Sequence, residues 1–377
     1  MKSLVLCHSS LRDAAPELQY EAVMLFGKEL TFTLMEADRK DLASHADNEY
    51  AVLVRKTGFS LNFRDQSILL RINSLCEESA EQGILYYSPI GSEFVAEVVS
   101  TGKSVTTLKP GDRVIPDGTF PAEYREIRGG VPSDYASDRF EIFHERQLLK
   151  IPDAMPDEIA AGFTIGAQTA YAMVRKAGIR PGENVLITAA SSSTSIFALA
   201  ALQHSGANIY LLSASPRPAS PFERYRFTKL LHAPLDAGSA FQQLSAAIGG
   251  FDVVIDPYTD IYLSPLISHI KMNGRYVTCG FQRQHNLMLQ AFHAQEGKIF
   301  PVILSAIANN ISIIGNCLGN SADLRNAVDD YCNGKLSLAA DSIYTGDDFK
   351  AFIERSFNDR TRVGKTVYLY EGMKNME

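Results

Sequence analysis

The sequence predicts an α/β protein in which a β-rich first part, folded as a small barrel, precedes a doubly wound sheet domain. Apolar runs separated by Gly and Pro predict the barrel strands before about residue 160, at residues 51–55, 92–99 and 113–115. Farther along the chain, apolar strands alternate with helical patterns. That alternation is typical of a parallel sheet covered by helices.

The stretch at residues 184–202 defines this second part. Residues 184–187 predict a short buried strand, which is followed by a turn of Ala, Ser and Thr and then by a helical pattern that ends at Gly206. Residues 208–212 predict a second apolar strand. Because one helix connects the two strands, we expect them to run parallel.

The turn of small residues predicts a phosphate site. It leaves backbone N–H groups unshielded at a helix N-terminus, where the helix dipole favours an anion. The dinucleotide fingerprint has glycines here, whereas this chain has Ser193 and Ser195 at the places expected for the second and third glycine. Their Cβ atoms narrow the approach, although a hydroxyl can donate to a phosphate oxygen. The alternative is a buried helix start that binds no nucleotide.

Further buried strands are predicted at residues 251–256, 274–280 and 311–315, which completes a Rossmann-type sheet. A last strand near residues 365–369 is surplus to such a sheet, and we expect it to return to the first domain. The predicted domains are therefore 1–160 with 320–377, and 161–319.

Composition narrows the class of partner. The chain has 377 residues, 46% of them apolar, and 36 basic against 43 acidic residues give a net charge of −7. Without a basic run, a nucleic-acid or anionic-membrane partner is disfavoured, and a small molecule is expected. Five scattered cysteines indicate neither a disulfide framework nor a zinc ribbon. No secretion signal or membrane span is recognised, so we expect a cytoplasmic location.

Five short motifs follow one another along the chain, at residues 60–65, 91–93, 109–114, 169–171 and 189–193. In this order and spacing they resemble the medium-chain dehydrogenase/reductase superfamily over nearly the whole chain, in particular its zinc-free quinone-oxidoreductase and enoyl-reductase branch. The resemblance implies a GroES-like barrel built from both chain ends and a central cofactor domain.

The resemblance also shows which residues of this chain occupy the zinc-ligand positions of the family. The ligand places of the metal-dependent members fall on Asn62, Ser92 and Ile165. Zinc requires thiolate, imidazole or carboxylate ligands in a tetrahedral cluster, which these three residues cannot supply. The four-cysteine structural lobe is missing as well. We therefore expect no metal.

Without a metal, developing negative charge on a substrate oxygen needs hydrogen-bond donors or an acid. The resemblance implies that the Asn62 amide donates to a substrate oxygen or to the cofactor ribose; a cap on a helix beginning near Phe63 is an equally open alternative. Asp65 is expected to fix local structure rather than transfer a proton. Tyr135, in a loop expected to border the pocket, is a candidate general acid.

We expect NADPH to be the cofactor. The strand predicted at residues 208–212 is followed by no acid before Glu223, so the carboxylate that selects NADH is absent, whereas Ser213, Ser215 and Arg217 are suited to a 2′-phosphate. A polar surface loop with an incidental Arg217 is the alternative. The remaining candidate cofactor-binding residues are Thr169, Ala190, Ser192, Ser193, Thr194, Ser195, Gly280 and Asn316.

These expectations combine into one function. The chain is expected to transfer hydride from NADPH to an activated C=C bond or a quinone, with a small-molecule or peptide-borne unsaturated substrate such as an enoyl, enone or dehydroamino acid compound. The alternative is a nucleotide-binding scaffold or sensor without turnover. A homodimer is expected through the apolar run at residues 311–314.

Overall fold

The computed structural model describes residues 1–45, 48–125, 127–214, 218–233, 235, 238–282 and 296–371, with only the backbone described at 296–298. In chain order the strands in these ranges are β1 Lys2–Cys7, β2 Tyr20–Leu25, β3 Lys28–Glu36, β4 Ala51–Ser60, β5 Tyr87–Pro89, β6 Glu93–Thr101, β7 Arg113–Pro116, β8 Phe140–His144, β9 Leu148–Lys150, β10 Asn184–Ile187, β11 Asn208–Ser213, β12 Lys229–His232, β13 Phe251–Asp256, β14 Ile270–Thr278, β15 Ser312–Gly315, β16 Ser342–Thr345 and β17 Thr366–Leu369.

The α-helices of the same ranges are α1 Leu11–Ala14, α2 Asp65–Glu81, α3 Asp157–Ala160, α4 Thr164–Ala177, α5 Ser193–Ala201, α6 Ala240–Ala247, α7 Thr259–Leu266, α8 Glu296–Ala308, α9 Ser321–Cys332 and α10 Phe349–Phe357. None of the helices in the described ranges is long and apolar enough to cross a membrane.

The chain divides into two compact units, Met1–Thr164 with Leu338–Glu377, and Ile165–Ser337. Residues 320–337, which the sequence analysis places with the C-terminal segment, therefore lie in the second unit. The reason is α9: its Asp323 carboxylate accepts two hydrogen bonds of 2.8 Å from the Arg175 guanidinium on α4.

The first unit is built on the long strand β4. One edge of β4 pairs with β6, while the other edge pairs with β8 and then with the C-terminal strand β17, where Tyr368 lies opposite Phe59. The seven-stranded sheet has the order β16-β17-β4-β6-β7-β9, with β8 on β4, and a second sheet has the order β2-β3-β1-β5. One apolar core contains side chains from both sheets and from α2 and α10.

The second unit contains a six-stranded sheet with the order β12-β11-β10-β13-β14-β15. Every neighbouring pair is parallel. The four residues of β10 are all buried, as expected for a central strand covered on both faces. The order reverses between β10 and β13, so the predicted doubly wound, Rossmann-type arrangement is confirmed.

Candidate active site and cofactor loop

The loop after β10 folds as a strand-to-helix turn without glycine. Ala189 has a φ of 45°, a left-handed conformation that usually falls to glycine. The Ala190 N–H donates to the carbonyl oxygen of Leu212 in β11 at 3.0 Å, which fixes the turn to the neighbouring strand. Helix α5 then begins at Ser193 with Ser192 as its N-cap.

Serine hydroxyls hold this loop closed. The Ser192 Oγ accepts from the Ser195 N–H at 3.1 Å, and the Ser195 Oγ donates to the carbonyl oxygen of Thr188 at 2.7 Å. In the described part of the chain, the N–H groups of Ser193 and Thr194 have no hydrogen-bond partner. Two donors at a helix N-terminus therefore stay available for an anion, while Ser192 and Ser195 are engaged within the loop.

Packing of the α5 N-terminus against α4 requires a glycine on α4. A Cβ added to Gly166 on α4 would lie 2.8 Å from the Ser193 Oγ and 2.6 Å from the Phe197 ring. Glycine at position 166 of α4 thus allows α4 and α5 to approach closely, a task that a fingerprint glycine normally performs. The side chains of Ser193 and Phe197 fill the space beside Gly166.

A buried carboxyl group lies beneath the loop. Asp256, the last residue of β13, accepts hydrogen bonds from the Thr188 hydroxyl, from the Tyr276 hydroxyl and, at 2.9 Å, from the Tyr258 N–H. Burial raises the pKa of Asp256 to about 6, against the opposing effect of these hydrogen bonds. The sequence analysis missed Asp256 because a polar residue at a strand end carries no signal of its partners.

Most of the expected cofactor-binding residues lie at the carboxyl edge of the six-stranded parallel sheet. Ala190 and the serines follow β10, Ser213 ends β11, Gly280 follows β14 and Asn316 follows β15. This edge is where ligands bind in open parallel sheets. Thr169 lies on α4 and is buried. Ser215 and Arg217 lie outside the described residues.

Two of these positions are shaped by local contacts. The Gly280 carbonyl accepts from the Thr259 N–H and hydroxyl, both at 3.0 Å. The Asn316 N–H donates to the Thr278 carbonyl oxygen at 2.7 Å, and its amide nitrogen donates to the Leu318 carbonyl oxygen at 2.7 Å. The Asn316 Oδ1 is buried and has no partner in the described structure. An amide oxygen in this state retains its capacity to accept a hydrogen bond.

In the first unit, Asn62 belongs to a buried polar cluster that sequence reasoning did not predict. Its Oδ1 accepts from the Lys365 ammonium, and its Nδ2 lies 3.0 Å from the Glu93 Oε1 and 3.4 Å from the Ser92 Oγ. Lys365 also contacts Glu93 directly and donates to the Ser60 Oγ at 3.2 Å. The side chains of Glu93 and Lys365 are almost fully buried.

The expected alternative role of Asn62 as a helix cap is wrong. Helix α2 begins at Asp65, its N-cap residue is Arg64, and the Asn62 side chain points to the cluster instead. The capping contact runs in the other direction: the Asp65 Oδ2 accepts from the Asn62 N–H at 2.8 Å. Asp65 is fully buried, and this burial raises the pKa of its carboxyl group.

Tyr135 lies on the loop before β8. Its side chain is 42% exposed. The loop is anchored from beneath, because the buried Lys56 ammonium donates to the Tyr135 carbonyl oxygen at 2.7 Å and contacts Glu141. The Tyr135 N–H donates to the Ser133 Oγ at 2.9 Å. The backbone of Tyr135 is thus fixed while its phenol is accessible.

Two of the three zinc-ligand places lie in the buried polar cluster. Asn62 and Ser92 lie in the cluster around Lys365, and Ile165 is an apolar residue on α4. Across the described ranges, no group of three or more His, Cys, Asp or Glu side chains is arranged to hold a metal ion.

Comparisons with known proteins agree with this architecture. The family model of the alcohol dehydrogenase GroES-like domain matches residues 48–181. Acryloyl-coenzyme A reductase of Metallosphaera sedula is 26% identical over 292 residues, which are 74% of this chain and 82% of that protein. The highly reducing polyketide synthase ZEA2 of Gibberella zeae is 34% identical over 176 residues, which are 46% of this chain and 6% of that synthase.

The fold is shared with solved structures. An NAD-dependent alcohol dehydrogenase superposes with a TM-score of 0.72 at 16% identity, covering 98% of this chain and 99% of that one. The GroES-like and Rossmann-type parts of the predicted fold are both confirmed. Family model, relatives and fold lead to one assignment: residues 48–181 form an alcohol dehydrogenase GroES-like domain, and the chain as a whole has the fold of the medium-chain dehydrogenases and reductases.

Proposed function

We propose that the protein is a zinc-independent, NADPH-dependent reductase that transfers hydride to an activated C=C bond or a quinone. The observation that carries this proposal is the cluster around Lys365, which fills the metal-ligand places Asn62 and Ser92 with a closed set of hydrogen bonds. Alcohol oxidation without a Lewis acid lacks a group to stabilise the alkoxide. A conjugated C=C bond accepts hydride at carbon, and its oxygen needs only hydrogen-bond donors.

Relatives of the chain support the proposed substrate class. The Metallosphaera protein is named as a reductase of acryloyl-coenzyme A, an α,β-unsaturated thioester. We propose an unsaturated acyl, enone or dehydroamino acid substrate of the same electronic type, borne on a small molecule or a peptide.

NADPH is the proposed cofactor, and it supplies the hydride. The open N–H groups of Ser193 and Thr194 fit a pyrophosphate oxygen, and the orphaned Oδ1 of Asn316 fits an amide N–H donor. Ala190, Ser192 and Ser195 shape the loop, and Thr169 and Gly280 complete the proposed set. We assign the 2′-phosphate to Ser213, Ser215 and Arg217.

Asn62, Asp65 and Tyr135 are the proposed residues of the reaction. The Asn62 amide nitrogen already has two acceptors in the protein, Glu93 and Ser92. The proposed role of Asn62 is therefore to orient the substrate through one N–H that is shared with a protein acceptor. Asp65 fixes the Asn62 backbone, in line with the structural role expected for it. The exposed phenol of Tyr135 is the proposed proton donor to the reduced substrate.

A homodimer is the proposed assembly. Strand β15 is an edge strand of its sheet, and its Ile313 is 38% exposed. The preceding helix α8 exposes Phe300, Leu304 and Ile307. Edge pairing of β15 with a second copy across a two-fold axis would cover such apolar side chains.

The test is reduction of a substrate panel. Purified protein with NADPH should reduce an enoyl thioester or an enone, and mass spectrometry should find a product with two added hydrogens at the former double bond. Tyr135→Phe should lower kcat at least tenfold, whereas Tyr87→Phe, another exposed tyrosine, should not. Cofactor binding without turnover of any panel member would support the silent scaffold instead.

A further inference from the structure

Lys365 is a buried cation whose ammonium group is surrounded by protein acceptors. Its Nζ donates to the Ser60 Oγ and to the Leu61 carbonyl oxygen, each at 3.2 Å, and it contacts the Asn62 Oδ1 and the Glu93 Oε1. All four acceptors are oxygen atoms, and they come from the end of β4 and the start of β6. An ammonium group has three N–H donors, and these four oxygen atoms supply acceptors for all of them.

The fold makes room for the aliphatic stem as well. A Cβ added at Gly162 would lie 3.0 Å from both the Cβ and the Cγ of Lys365. Glycine at this position therefore lets the stem pass toward the four oxygen atoms. The neighbouring residue, Thr366, begins β17, whose pairing with β4 sets the position of the lysine along the strand.

The cluster also fixes the Asn62 amide. Glu93 Oε1 accepts from the Ser60 hydroxyl at 2.6 Å and from the Asn62 Nδ2 at 3.0 Å, while Lys365 contacts the Asn62 Oδ1. The amide oxygen thus faces a donor, and the amide nitrogen faces an acceptor. Rotating the amide by half a turn would place its N–H groups against the Lys365 ammonium, donor against donor. Burial lowers the pKa of Lys365, and the Glu93 carboxylate opposes that shift.

We infer that Lys365 is the resident cation of a latent cation site formed by Ser60, Leu61, Asn62 and Glu93, and that it is the positioning residue for the Asn62 amide. When the side chain is shortened, the oxygen cage binds a small free cation. The positioning role rests on the proposed function; the cation site does not.

The first experiment measures stability alone. Lys365→Ala should unfold far more readily than the native protein, with its unfolding equilibrium constant raised roughly a hundred- to a thousandfold, because the buried Glu93 carboxylate loses its ion-pair partner. Ammonium or methylammonium chloride should lower the unfolding equilibrium constant of Lys365→Ala at least tenfold, relative to tetramethylammonium chloride at equal ionic strength. The native protein and Lys365→Ala/Glu93→Gln should show no such difference.

A variant that keeps the volume covers the case in which Lys365→Ala does not fold. Lys365→Met/Glu93→Gln removes both charges and should be close to the native protein in stability. Its kcat should nevertheless stay at least tenfold low, with KM for NADPH within about twofold, because the Asn62 oxygen has lost its donor. A purely structural lysine would let kcat recover with stability.

Each outcome decides the matter. Cation-specific recovery of Lys365→Ala supports the latent site, and an equal response to ammonium and tetramethylammonium overturns it. Full kcat in the double variant overturns the positioning role. If the native protein has no reductase activity, the proposed function fails while the stability comparison still tests the cation site.

Discussion

The Ser195 hydroxyl lies 2.7 Å from the carbonyl oxygen of Thr188 and joins the first turn of α5 to the end of β10. The same hydroxyl lies 2.8 Å from the Ser192 Oγ, which caps the helix. Serine therefore does not merely replace glycine in this loop. It supplies the hydrogen bonds that give the loop its shape, and the helix N–H groups ahead of it stay open.

Restoring a fingerprint glycine should harm the protein. Ser195→Gly removes a buried hydrogen bond and adds chain entropy to a helix, so we expect a loss of about 2 kcal/mol in the free energy of unfolding. NADPH affinity should fall severalfold. Urea denaturation and calorimetry measure both effects. Ser191→Gly, at a hydroxyl without a hydrogen bond in the described structure, should cost less; tighter NADPH binding by Ser195→Gly would contradict this account.

Asp256 should make stability depend on pH with an unusual sign. Because burial raises its pKa to about 6, the folded state binds the proton more tightly than the unfolded chain. This group therefore stabilises the fold most below about pH 4, and its contribution is lost as pH rises through about 6. The full difference is roughly 3 kcal/mol for a shift of about two units.

Asp256→Asn isolates that contribution. Urea denaturation of the native protein and the variant should be compared across this pH range, since other carboxylates such as Asp323 have lowered pKa values and act in the opposite direction. The stability of the native protein relative to the variant should fall as pH rises. A relative stability that is flat or rises would show that the folded pKa of Asp256 is not raised.

NADPH should be preferred over NADH, and Arg217 should set much of the preference. A charge-assisted contact contributes roughly 1.5–3 kcal/mol, so Arg217→Ala should weaken NADPH binding about ten- to a hundredfold and leave NADH nearly unchanged. Calorimetry with both cofactors measures this. Arg71→Ala, at an exposed residue of α2, controls for the change in net charge. Equal losses for both cofactors, or a native preference for NADH, would contradict the assignment.

The proposed dimer depends on an apolar surface. Leu304→Asp puts a charge on a residue that is 69% exposed in the single chain, and it should convert the dimer into a monomer because burying an unpaired carboxylate is costly. Light scattering should change from twice the chain mass to the 41.5 kDa of one chain. Ile84→Asp, on the first unit, should remain dimeric. A native protein of single-chain mass at micromolar concentration would contradict the dimer.

The sequence predicted several strands of the second unit because each of those signals is local. Strand periodicity located β10, β11 and β13, and the small-residue turn located the start of α5. Those predictions needed only neighbours in the chain. Ser215 and Arg217 were also predicted locally, but they lie outside the described residues.

The cluster around Lys365 shows what local signals cannot reach. Glu93 and Lys365 are 272 residues apart, and only the pairing of β17 with β4 brings them together. The same holds for Asp256 and Tyr276, which meet because β13 and β14 are neighbouring parallel strands. The sequence predicts that Asn62 contacts a substrate oxygen or the cofactor ribose, or caps a helix. Its partners within the protein depend on tertiary pairing.

The central claim, reduction without a metal, is tested most directly by the turnover of metal-stripped protein. After dialysis against a chelator, with elemental analysis showing zinc well below one per chain, NADPH oxidation with acryloyl-coenzyme A or an enone should proceed at the rate of the untreated protein. Donors on the protein, not a Lewis acid, then stabilise the substrate oxygen. Activity that disappears on chelation and returns with added zinc would contradict the account.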